Sequence, residues 1–278
     1  WVTAQQLARQ GAHVVMAVRR VEEAQKCIEE FKAEKSDANL EARRMDLGDL
    51  TSVREFASGM RADFDTVDGL ANNAGVMNTP HGKTKDGFET QIGINHLGHF
   101  LLTHELMPLL EGGRVVNVSS CFHDKAMGRV GDIHLDDLFF ENSKYDGWTS
   151  YAQSKLANLL HAKELAKRSQ NVVAASVHPG WVRTDLARHS MPLWVQNTIM
   201  RPILKMMGMI EPWQGAQTTL HALLADDVSS GAYYSQLGVY RDKKCNKGGW
   251  PMASPNPKAN DDALASALWD RSAQLVGV

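Results

Sequence analysis

The sequence predicts an α/β fold built on a parallel sheet, and three observations carry that prediction. Short apolar, β-branched runs alternate with amphipathic stretches along most of the 278 residues, which is the pattern of βα units. Several of those runs end in Asn, Gly, Ser or Pro, residues that turn a chain at the end of a strand. No internal repeat, low-complexity tract or linker divides the chain, and its length suits one large domain with a buried core.

The elements follow in order. Val2–Ala8 reads as a helix closed by Gly11. His13–Val18 (HVVMAV) is short, β-branched and free of breakers, as a buried strand is. Residues 21–35 form an amphipathic helix and Leu40–Met45 a second strand. Another helix follows Asp49, where an Asp ahead of Thr51 and Ser52 suits an N-cap. Asp68–Ala71 leads a strand into Asn72-Asn73-Ala74-Gly75. Residues 86–111 read as one long helix ending at Gly112-Gly113, and Val115–Val118 as a strand running into Ser119-Ser120. A helix over 150–169 precedes the strand Val172–Val177, which ends at Pro179-Gly180. Beyond it the alternation loosens into an apolar segment at 191–213, a helix at 214–225, a short strand near Tyr233 and a closing helix around 260–275.

Composition narrows the function classes. Apolar residues at 43% and charged residues at 22% are ordinary for a globular protein. A formal net charge of −2 without a basic run speaks against nucleic acid. Cys27, Cys121 and Cys245 lie far apart with no C-x-x-C spacing. That argues against a disulfide framework and a zinc site and favours a reducing compartment. No run of about 18 apolar residues is present to span a bilayer. The chain opens on Trp1 rather than Met, so the lack of a visible signal peptide decides nothing about a leader or anchor. The expected location is cytoplasmic or peripheral to a membrane.

Chemistry enters with Tyr151-Ala152-Gln153-Ser154-Lys155. Tyr151 and Lys155 are four apart on a helix and project from one face. A tyrosine with a pKa of about 10 is a poor acid or base at neutral pH, and a nearby ammonium lowers it by stabilising the phenolate. A surface pair is the bland alternative. Ser119-Ser120 stand at a strand's C-terminal end, where open α/β sheets place their ligands. A serine hydroxyl there can hold a carbonyl oxygen, although a turn serine would also suit the position. Asn95-His96-Leu97-Gly98 sits inside the long helix at a cost in helix propensity. A side chain that opens the ladder there can hold a water for proton relay, and a solvated helix face is the alternative.

Together these motifs resemble the short-chain dehydrogenase/reductase family, and the resemblance spans essentially the whole chain. Its carriers are N-N-A-G at 72–75, N-H-L-G at 95–98, V-S-S at 118–120, Y-x-x-S-K at 151–155 and P-G-x-V-x-T as Pro179-Gly180-Trp181-Val182-Arg183-Thr184. The nearest likeness is to the retinol dehydrogenase and WW-domain-containing oxidoreductase group, to which the 31 positions from Ser120 to Tyr151 are similar. The resemblance implies a Rossmann-like, doubly wound parallel sheet and a catalytic tetrad of Asn95, Ser120, Tyr151 and Lys155. In it Tyr151 is the acid/base, Ser120 the oxygen anchor, Lys155 the holder of the nicotinamide ribose and Asn95 the support of a relay water. It also places Asp46 against the adenine ring, with Leu47 beside it, and makes Asn73, Ala74, Gly75, Pro179, Gly180, Val182 and Thr184 cofactor contacts.

Charge points to the cofactor. Arg19 and Arg20 follow the strand His13–Val18, where dinucleotide folds meet the adenosine ribose. Arginine suits the 2′-phosphate of NADP, whereas NAD calls for an acidic residue. Two solvated arginines at a helix start are the alternative. The T-G-x-x-x-G-x-G loop that normally cradles the pyrophosphate does not occur in the 278 residues, which open within the helix expected to follow it. A further strand and glycine loop are expected upstream of Trp1, and a native chain starting at Trp1 is expected to bind NADPH poorly.

Residues 191–213, rich in Met, Leu, Ile and Trp, read as a substrate-side lid over a lipophilic carbonyl or alcohol. A core or homodimer-contact helix is one alternative, and a shallow membrane contact aided by Arg201 and Lys205 another. The leading expectation is an NADP-dependent oxidoreductase. A non-catalytic binding or regulatory paralogue is the competing class. A sugar-nucleotide epimerase would share Tyr-x-x-x-Lys but needs a larger C-terminal domain.

Overall fold

The structure, a computed structural model, describes residues 1–183, 209–236 and 250–278. Its elements are α1 (Val2–Arg9), β1 (Val14–Val18), α2 (Val21–Glu34), β2 (Leu40–Arg44), α3 (Leu50–Asp63), β3 (Gly69–Asn72), α4 (Thr90–Ile92), α5 (Gly98–Leu106), β4 (Arg114–Val118), β5 (Lys125–Ala126), β6 (Arg129–Val130), α6 (Gly147–Arg168), β7 (Val173–His178), α7 (Pro212–Leu224), β8 (Tyr233–Ser235) and α8 (Asp262–Val276). Asp49 caps α3 as its position predicts, accepting from the amides of Thr51 and Ser52.

The parallel strands β3, β4, β7 and β8 are hydrogen-bonded in that order, and β1 pairs in parallel with β2. Side chains alternate across β4. Val115 joins the core shared with α3 and α5, while Val116 and Val118 pack with Ala222 of α7 and with Tyr234. Helices thus cover both faces, which is the doubly wound arrangement.

Two expectations need correction. Of the strand expected over His13–Val18, His13 is exposed and Val14–Val18 is half-buried rather than buried, because β2 is the one strand bonded to β1 among the described residues. Nor is β1 bonded to β3, so the described sheet stands in two pieces. The helix expected over 86–111 begins at Thr90, since Gly87 takes a φ of +87° and Glu89 accepts from the amides of Gln91 and Ile92. It then passes through a π turn at Gly93–Leu97 before α5. The lid expected at 191–213 lies outside the described residues up to 208. What is described of it runs into α7, through a bridge between Ile210 and Val182. Among the described residues no helix is long and apolar enough to cross a membrane, and no His, Cys, Asp or Glu cluster could hold a metal.

Candidate active site

The site forms where β3, β4 and β7 end and α6 begins. Asp146 starts α6 by accepting from the Thr149 amide, which sets the helix so that Tyr151 and Lys155 face the end of β4. Two further bonds lock this register. Ser119 Oγ donates to the Lys155 carbonyl at 2.7 Å, and Asn158 Nδ2 donates to the Val118 carbonyl at 3.0 Å.

The structure places the Tyr151 phenol and the Ser120 hydroxyl close enough to interact. Ser120 Oγ also accepts the Phe122 amide at 3.2 Å. Lys155 is nearly buried, lies 5.7 Å from the centre of the Tyr151 ring and donates to the Val118 carbonyl at 3.0 Å. The electrostatics differ from expectation. Burial pushes the Tyr151 phenol well above the usual tyrosine value, with the neighbouring Ser120 opposing it, and burial lowers Lys155 to about 8. Burial, not Lys155, sets the direction of the phenol's shift, and the lysine Nζ is turned to the Val118 carbonyl. The Cys121 thiol beside them is likewise raised to about 11 by burial.

Asn95 sits in the π turn, where the wider backbone pitch brings its side chain to the loop after β3. Its carboxamide accepts from the Val76 amide at 2.8 Å and donates to the Val76 carbonyl and to Ser154 Oγ, each at 2.9 Å. Its own carbonyl meets His99 Nδ1 at 3.0 Å. Asn95 therefore clamps the 73–76 loop to α6. Beneath it Asn72 donates to Asn117 Oδ1 at 2.8 Å, and Asn117 donates to His161 Nδ1 at 3.1 Å, so the buried amides tie β3, β4 and α6 together.

The residues present fit the nicotinamide-ribose end of a dinucleotide. A Cβ at Gly75 would fall 2.9 Å from Asn95 Oδ1 and 3.6 Å from Lys155 Nζ, so glycine leaves an open cradle at the ammonium. Gly180 turns the chain after β7 with a φ of +93°. Pro179 and Val182 flank it, and Val182 packs so close to Gly215 that no side chain fits there. Asn73 and Ala74 are exposed at the end of β3, and Arg19 and Arg20 are exposed after β1, Arg20 paired with Glu23 at 2.8 Å. Asp46 is half-buried, and its carboxylate accepts the Gly48 amide at 2.9 Å. The Leu47 side chain belongs to the core, which leaves only its backbone for a ligand. Thr184 lies outside the described residues.

Sequence reasoning missed an aromatic wall. Phe122 stands edge-on to Tyr151 at 6.1 Å and to Trp148 at 5.5 Å, and both Phe122 and Trp148 are partly exposed. Their closeness in sequence to Ser120 and Tyr151 was the available signal.

Comparison with known proteins agrees with this geometry. A family model described as short chain dehydrogenase matches residues 2–130. Retinol dehydrogenase 12 of Bos taurus is 40% identical over 284 residues, covering 99% of this chain and 82% of that protein. Retinol dehydrogenase 13 of Homo sapiens is 37% identical over 285 residues, covering 99% and 80%. The crystal structure of an uncharacterized protein from Mycobacterium paratuberculosis superposes with a TM-score of 0.77 at 36% identity, covering 100% of this chain and 88% of that one. With its doubly wound sheet and its Ser120–Tyr151–Lys155 cluster, the chain belongs to the short-chain dehydrogenase/reductase family, in its retinol dehydrogenase-like subgroup, and is an oxidoreductase.

Proposed function

We propose that the chain is an NADP-dependent oxidoreductase acting on a lipophilic carbonyl or the corresponding alcohol. The observation that carries the reading is the Tyr151 phenol beside the Ser120 hydroxyl, with the buried Lys155 Nζ 5.7 Å from the centre of its ring. NADPH, when bound, supplies the hydride. Ser120 and Tyr151 then hold the carbonyl oxygen, and the Tyr151 proton passes to that oxygen as it gains charge. A phenol kept protonated by burial suits the reductive direction. Lys155 holds the nicotinamide ribose of the bound cofactor, and Asn95 holds the Gly75 loop against the same lysine.

Arg19 and Arg20, exposed after β1, support a preference for the 2′-phosphate. The Phe122–Trp148 wall supports an apolar or conjugated substrate, and the identity to retinol dehydrogenases points the same way. Arg19→Ala with Arg20→Ala is expected to raise KM for NADPH roughly tenfold or more, the loss of one or two charge-assisted bonds, and to leave KM for NADH unchanged. An equal response of both cofactors would remove the NADP assignment. Retinal-like aldehydes are expected to outperform short aliphatic ones in kcat/KM, and the reverse order would remove the lipophilic assignment.

A further inference from the structure

The loop that follows Ser120 holds a buried histidine that the mechanism does not use. His123 is fully buried, and both of its ring nitrogens are engaged. Nδ1 lies 2.5 Å from the Ser120 carbonyl oxygen, and Nε2 lies 2.6 Å from Ser254 Oγ. A carbonyl can only accept, so Nδ1 carries the proton. Burial holds the ring's pKa at about 4. In the neutral ring Nε2 is therefore the acceptor, and the Ser254 hydroxyl donates to it. Ser254 Oγ in turn accepts the Asn256 amide at 3.1 Å, and Asn256 Nδ2 donates to the carbonyls of His123 at 2.7 Å and Gly131 at 2.9 Å. Every polar atom of this chain of bonds is matched, as a buried network requires.

We propose that His123 is a positioning residue for Ser120, fixing the serine's backbone, and with it Oγ, to a post formed by residues 254–256. The inference rests on the oxidoreductase reading of the same site and extends it to a part of the chain remote from the tetrad. The ring reaches the carbonyl of the residue whose hydroxyl stands beside the Tyr151 phenol. The same carbonyl also accepts the His123 amide at 3.0 Å, so losing the ring leaves it with a single local bond and no tie to Ser254. Oγ can then drift from the phenol, and displacement by about 1 Å can cost 100-fold in rate.

Two amide side chains separate the two ends of the ring. In His123→Asn the amide nitrogen stands near the place of Nδ1 and keeps the bond to Ser120. In His123→Gln it reaches toward Ser254 and releases Ser120. With melting temperatures recorded for each, His123→Asn is expected to retain kcat within about threefold, while His123→Gln and His123→Ala fall about 10- to 100-fold with KM for NADPH unchanged. Hydrogen exchange at the Phe122 amide, which donates to Ser120 Oγ, supplies a readout independent of turnover. It is expected to quicken in the Gln and Ala variants and to stay protected in the Asn variant. Equal behaviour of the Asn and Gln variants in kcat or in exchange would overturn the proposal. A wild-type chain without any reductase activity would defeat the functional reading alone, and the exchange order would still decide the role of His123.

Discussion

At the scale of single residues, the account turns on two groups that burial moves in opposite directions. The Tyr151 phenol is held protonated, and Lys155 loses its charge above about 8. Carbonyl reduction needs both the proton and the ammonium, so kcat for reduction is expected to fall as pH rises through about 8. A kcat–pH profile that stays flat to pH 9.5 would contradict that assignment. Lys155→Met removes the charge at every pH and is expected to lower kcat about 100-fold or more. Most of these residues were legible because the chemistry demands specific side chains at helical spacing, as with Tyr151 and Lys155. The sequence also pointed to Ser120, through its place at a strand end. Ser254 was not legible, since it meets His123 across 131 positions and nothing local marks it. The electrostatic sign at Tyr151 was misjudged for a related reason: spacing reports proximity, whereas the pKa depends on how deeply the pair is buried.

Among the elements, the interrupted helix positions most of the site. Asn95-His96-Leu97-Gly98 costs helix propensity, and the structure uses the break as a π turn that turns Asn95 toward the loop after β3. Gly98 lets α5 press on the strand end that carries Leu47, where an added Cβ would fall 2.5 Å from the Leu47 carbonyl. Gly98→Ala is therefore expected to destabilise the fold by about 1–3 kcal/mol, the usual penalty for overpacking. Urea unfolding measures it, and an unchanged midpoint would show that α5 does not press there. The succession of strands and helices along the chain followed from periodicity, whereas their order in the sheet is seen only in the pairing. The early start expected for this helix did not hold, because the turn at Gly87 and the cap at Glu89 outweigh the apolar spacing.

Across the whole molecule, five histidines are buried in neutral form: His96, His99, His123, His161 and His178. Burial is the first cause of each shift, and each folded pKa lies below the ordinary 6.5. As pH falls below that value the unfolded chain binds these protons first. Stability is thus fully present above about 6.5 and is lost toward the folded values of about 3 to 4. Each group contributes up to about 1.4 kcal/mol per pH unit in that window, against a typical stability of about 5–15 kcal/mol. Cooperative acid unfolding is expected near pH 5 by circular dichroism, and a melting temperature unchanged from pH 7 to 4.5 would contradict it. The same scale sets the limit of sequence reading. The α/β class and its parallel sheet were legible from alternation, and the doubly wound layers from the resemblance. The division of the described sheet between β1 and β3 was visible only in the pairing. Amides along those two strands are expected to exchange faster than those of β4 and β7, which have a bonded strand on both sides.

The most direct test of the central claim is the rate of NADPH-dependent reduction of a lipophilic aldehyde by Tyr151→Phe at saturating cofactor. This change removes one oxygen from a buried ring and leaves the packing against Phe122 in place. A fall in kcat of about 100-fold or more, with binding of NADPH retained, is the predicted result. Turnover equal to that of the unaltered chain would mean that the phenol does not deliver the proton.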